Sequence, residues 1–182
     1  MSQNSKDKKI YIVLSSTPSI VARLIRIFTR EKYSHASLSL TEDLNWMYSF
    51  GRTNPYNPFH GGFVRESPNI STFKRFPKSQ IAILEVNVSA EQLEGIREGI
   101  QNMLLEQKKY HYNYAGLFKA GVNMTHERKE YRYYCSEFIS ELLVDQKVIN
   151  RESLPAIIHP MNFLDLGFDV VYRGKLCEYA GG

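Results

Sequence analysis

Apolar residues run almost without a break from Ile10 to Leu14, between Lys9 and Ser15, which is the pattern of a strand buried on both faces. The period then changes. Thr17 followed by Pro18 is an N-cap and first-turn signal, and Val21, Leu24, Ile25 and Phe28 form one stripe of a helix running to about Glu31. Residues 33–40 and 45–51 both alternate with period two and flank a turn at Thr41-Glu42-Asp43, so they are expected to pair as an antiparallel hairpin. On the first strand Ala36, Leu38 and Leu40 share one face, and His35 shares the other with Ser37 and Ser39. On the second, Trp46, Tyr48 and Phe50 oppose Met47, Ser49 and Gly51.

From Arg52 to Lys78 the prolines and glycines multiply, and the segment reads as a long irregular connection with one short strand around Phe63 to Glu66, serving as a cleft wall or lid. Gln80 to Val88 is a strand. Ser89-Ala90-Glu91-Gln92 is a capping-box pattern opening a helix to about Gln107 on Leu93, Ile96, Ile100, Met103 and Leu104. Tyr110-His111-Tyr112-Asn113-Tyr114 alternates aromatic and polar residues ahead of a short helix from Ala115 to about Val122 and a polar connection. Cys135 then opens a helix to about Val148, with Phe138, Ile139, Leu142 and Leu143 at helical spacing. A helical turn near Met161 to Leu166 and a strand from Asp169 to Arg173 follow. The mixed order of elements argues an α+β fold.

The 182 residues suit one domain, with residues 1–8 as a flexible polar tail and 9–182 as the folded unit. The polar N-terminus has no signal-peptide core, and the two cysteines make no disulfide framework, so a cytoplasmic location is expected. No apolar run approaches the roughly 20 residues that span a bilayer, so no integral membrane segment is expected. A net charge of +4 spread along the chain gives nucleic-acid binding little support. Arg23, Arg26 and Arg30 share one face of the first helix, either a solvated face or a contact for an anionic surface.

The candidate chemistry lies at Cys135. A thiol at a helix N-terminus sits among unpaired N–H groups at the positive end of the macrodipole, which favours the thiolate. Burial for packing alone is the competing reading. A thiol nucleophile also needs a base, and of the five histidines only His35 is held in a strand on a face of small side chains; His60, His111, His126 and His159 fall in loops or irregular stretches. There is no CxxC or HxxxH pair for zinc and no glycine-rich phosphate loop, so neither a metal nor a nucleotide cofactor is expected. Cys177 reads as a packing or exposed thiol.

Ser34-His35-Ala36-Ser37-Leu38 on one strand, a second strand ending Met47-Tyr48-Ser49-Phe50-Gly51-Arg52, and Tyr134-Cys135-Ser136-Glu137-Phe138 far downstream resemble the circularly permuted branch of the NlpC-type papain-like cysteine hydrolases, which is related to the lecithin:retinol acyltransferases. In that branch the histidine precedes the nucleophile, as here. The resemblance implies a papain-like α+β domain, a small antiparallel sheet packed on the nucleophile helix, with Cys135 as nucleophile and His35 as base. It also implies a cysteine amidase, peptidase or acyl-transfer enzyme working through a thioester on a small peptide, amide or acyl lipid. The position that best corresponds to the residue orienting the imidazole holds Ser49, which carries no charge; Glu66 or a main-chain carbonyl is the alternative. Tyr134, Tyr48 and Tyr33 are the expected substrate contacts. A non-catalytic lipid- or peptide-binding module on the same fold is the competing function.

Overall fold

The first strand, β1 (Lys8–Ser16), lies inside a sheet, and its continuous apolar run is explained by two separate cores. Ile10, Ile12 and Leu14 face the larger core, while Tyr11 and Val13 face a smaller one on the opposite side of the sheet. The computed structural model describes residues 8–17, 31–53, 60–114 and 130–181; the expected helix after Pro18 with its three arginines, the segment 115–129 and the polar tail up to residue 7 lie outside them.

Around β1 are β2 (His35–Ser39), β3 (Met47–Arg52), β4 (Gly61–Glu66), β5 (Gln80–Val88) and β8 (Asp169–Lys175), in the order β4-β3-β2-β1-β5-β8. Every neighbouring pair is antiparallel, so the architecture is α+β with a six-stranded antiparallel sheet. The larger core is closed by α2 (Ala90–Leu105) and α3 (Cys135–Asp145). The capping box at the start of α2 is formed: Ser89 Oγ accepts from Gln92 N at 3.1 Å, and Gln92 Oε1 accepts from Ser89 N at 2.9 Å. The same Gln92 side chain donates to the carbonyls of Gln146 and Lys147 at 3.1 Å each, tying the start of α2 to the end of α3.

Of the segment expected to be irregular after Arg52, the described residues 60–78 hold more regular structure than their composition suggests. They include β4 and also α1 (Ser71–Arg75), a five-residue helix whose Phe73 fills the smaller core beside Met47, Ile81 and Ile83. Nothing in its proline-flanked sequence has helical period, and Ile70 at its N-cap makes no side-chain cap, so tertiary packing of one aromatic holds it.

A second, two-residue ladder joins β6 (His111–Tyr112) and β7 (Arg132–Tyr133) in parallel. β6 lies against the start of β4. A Cβ added at Gly62 would stand 2.6 Å from the Tyr110 carbonyl oxygen, and one at Gly61 would stand 2.7 Å from the Tyr114 hydroxyl and 2.8 Å from Tyr112 Cβ. Only glycine permits that approach. Among the described residues, no helix is long and apolar enough to cross a membrane.

Candidate active site

The thiol is placed by the way α3 begins. β7 runs directly into Tyr134, whose extended backbone forms the N-cap, and Cys135 is the first helical residue. Glu137 closes the end from inside: its carboxylate accepts from Tyr134 N at 3.3 Å, which also sets a negative charge against the helix start. Ser136 Oγ donates to the Ile158 carbonyl at 2.8 Å, and Arg151 Nη2 donates to Glu141 Oε2 at 2.7 Å. Below these ties the apolar stripe is buried as its spacing requires. Phe138 packs between Phe50 and Phe63, with ring centroids 5.6 and 5.4 Å away.

His35 opens β2, paired in register with Ser15 of β1. Its Nε2 lies 3.1 Å from Glu66 Oε2. The same carboxylate oxygen accepts from Ser37 Oγ at 2.6 Å and from Ser49 Oγ at 2.9 Å. These residues meet because period two puts His35 and Ser37 on one face of β2, while the β3 and β4 registers bring Ser49 and Glu66 to the same side of the sheet. The Cys135 side chain is near enough to the imidazole to act on its protonation. Cys135 and Glu66 therefore both bear on the one ring.

The electrostatics follow from those contacts. Burial pulls the His35 pKa down, but the Glu66 carboxylate, and then Cys135, outweigh it and hold the imidazole well above its ordinary 6.5. Burial pushes Glu66 up, and the His35 charge with the Ser37 and Ser49 hydroxyls brings it below its ordinary value. Both shifts favour the ion-paired form, an imidazolium beside a carboxylate. His35 keeps 22% and Glu66 14% of side-chain surface, and the Cys135 residue as a whole is 2% exposed, so an outside molecule reaches the sulfur only if neighbouring groups yield.

Ser49, the expected orienting residue, stands one step back: its hydroxyl serves Glu66, and Glu66 meets the ring. The expected substrate tyrosines are packing residues. Tyr33 is 1% exposed in the main core, Tyr48 stacks on Phe63 with centroids 6.3 Å apart, and the Tyr134 hydroxyl is buried and held by the backbone of Ile158.

Tyr112 is a further aromatic within electrostatic range of the thiol. The β6–β7 register places it opposite Tyr133, two residues before Cys135. Burial, then the charge of Cys135, holds its phenol proton well above the usual range, so it remains a donor. The alternating Tyr-His-Tyr-Asn-Tyr run is its only mark in the sequence. Ser15, across the ladder from His35, is fully buried, and its hydroxyl has no partner among the described residues.

Of the other histidines, His60 and His111 are exposed, His159 Nδ1 lies 3.7 Å from Glu31 Oε1, and His126 is outside the described residues. Among the described residues no group of three or more His, Cys, Asp and Glu side chains is placed to hold a metal ion. Cys177 is an exposed free thiol. No protein-family model matches the chain, and no curated protein is found to match it.

Proposed function

We propose that this chain is a cysteine-dependent hydrolase or acyl-transfer enzyme with a permuted papain-like fold, acting on small amides, peptides or acyl lipids. The observation that carries the proposal is the imidazole of His35, held by Glu66 at 3.1 Å and near enough to Cys135 for the thiol to act on its protonation. That is the nucleophile, base and orienting carboxylate of a thiol enzyme. The Cys135 Sγ attacks a carbonyl carbon, and the developing oxyanion lies at the start of α3, where the first N–H groups have no intrahelical partner. As the C–N or C–O bond breaks, the His35 imidazolium gives its proton to the leaving amine or alkoxide, leaving a thioester. Water or an acceptor hydroxyl then attacks the thioester, His35 takes its proton, and the acid or transferred acyl product departs as the thiolate and imidazolium are restored.

The second reading, a binding module of the same fold without turnover, is favoured by the near-complete burial of Cys135. Alkylation with iodoacetamide, followed by peptide mass spectrometry, separates the two. The enzyme reading expects Cys135 in the wild type to react at neutral pH at a rate that drops in His35→Ala. Equal rates in both proteins would mean the pair does not function, and only the binding reading would stand.

A further inference from the structure

Arg52 ends β3 opposite Gly61, the first residue of β4. That ladder end sits directly beneath Tyr112 and Tyr114, as the 2.7 and 2.8 Å approaches at Gly61 require, and the two tyrosine rings lie 4.7 Å apart. By register the Arg52 side chain leaves the ladder on the face that Tyr112 and Tyr114 cover, and Tyr112 is near enough to Cys135 for the thiol's charge to act on it. The Arg52 charge is felt by both phenols.

Among the described lysines and arginines only Arg52 and Lys175 are drawn partly into the protein; the others are exposed. Lys175 meets Glu178 at 2.6 Å. Even exposed cations find partners: Arg151 has Glu141, Arg97 has Glu94 at 2.9 Å, and Arg65 lies 3.9 Å from the centre of the Trp46 ring. Arg52 has no carboxylate partner among the described residues. A guanidinium taken part-way out of water without a counter-charge carries a desolvation cost that a bound anion removes. Its planar fork fits a carboxylate with two parallel hydrogen bonds.

We propose that Arg52 is a specificity residue of the cleft, binding a carboxylate that the substrate carries close to its scissile bond. The substrate class is then an amide, ester or short peptide with a free carboxylate beside the reacting carbonyl. A carboxylate suits the site better than a phosphate dianion, because no second described cation is drawn in beside Arg52. The inference rests on the thiol-enzyme reading above and narrows it.

Two reagents of nearly the same size test it on the full-length protein: iodoacetate, which carries the carboxylate, and iodoacetamide, which does not. The readout is the ratio of their rates at Cys135, with exposed Cys177 as internal reference. The ratio at Cys135 is expected to fall about tenfold in Arg52→Gln, the effect of removing one nearby charge from a partly screened site, and to be partly kept in Arg52→Lys. At Cys177 it should not move. A Cys135 ratio unchanged in Arg52→Gln, while iodoacetamide labelling still depends on His35, overturns the carboxylate assignment and leaves the thiol-enzyme reading intact. Labelling indifferent to His35 removes that reading, and this inference with it.

Discussion

The Glu66 carboxylate meets His35 Nε2 at 3.1 Å through an oxygen that already accepts from two buried serines. A carboxylate so held cannot rotate away, so it fixes the ring plane and stabilises the imidazolium. In Glu66→Gln the neutral amide removes the largest influence raising the His35 pKa. The alkaline limb of the pH profile for turnover, set by loss of the imidazolium proton that the leaving group needs, should move down towards the ordinary 6.5. Turnover of an activated ester should fall by roughly 10²- to 10⁴-fold, the range for losing an orienting carboxylate. An alkaline limb that stays in place would show that Glu66 does not govern the ring.

The two serines act on Glu66, not on the ring. Because Glu66 titrates below its ordinary value when folded, it contributes stability that is present above the unfolded-state pKa and lost as pH falls through the folded one. Removing both hydroxyls raises the folded pKa and shrinks that contribution. Ser37→Ala/Ser49→Ala should therefore be less stable at pH 7, by about 1–3 kcal/mol per lost charge-assisted bond, yet lose less further stability on acidification to pH ~3. Urea unfolding at the two pH values measures both quantities. A double variant whose acid sensitivity equals the wild type's would contradict the assignment.

Much of this arrangement was legible in the chain, and what was missed was missed for physical reasons. Period-two alternation placed His35 with Ser37 and Ser39, and helical spacing placed Cys135 at the head of an apolar stripe, because both features are local. Glu66 stood only as an alternative to Ser49, since its role depends on the β3–β4 register, which runs through a loop rich in proline and glycine. Tyr33 and Tyr48 sit beside the motifs in sequence, but both pack against the larger core. Tyr112 was overlooked because a ladder of two residues leaves no periodic trace.

Glu31 and His159 form a second histidine–carboxylate pair. Burial raises Glu31 to about 7, and His159, 3.7 Å away, is lowered by its own burial. An acid whose folded pKa exceeds its unfolded one contributes stability that is complete below about 4.5 and is lost as pH rises through 7. His159, shifted down, contributes in the opposite sense, losing stability as pH falls below its ordinary 6.5. Glu31→Gln should remove the first contribution, so its thermal midpoint should decline less than the wild type's between pH 4.5 and 7. Parallel curves for the two proteins would rule this out.

Phe138 couples the nucleophile helix to the sheet through Phe50 and Phe63. Phe138→Ala deletes a fully buried ring and should cost about 3–5 kcal/mol in unfolding free energy. If α3 holds Cys135 against β2 through this contact, the dependence of Cys135 labelling on His35 should weaken in the folded variant as well. Full retention of that dependence would show that the hydrogen bonds around the N-cap suffice to position the thiol.

The paired glycines that open β4 set the tightest clearance near the thiol, and they do so by the atoms they lack. A single methyl group would press on Tyr112 and Tyr114 if placed at Gly61, and on the Tyr110 carbonyl if placed at Gly62, and so would lift β6 off β4. The seating of β6 on the sheet thus hangs on two positions that bear no functional group at all.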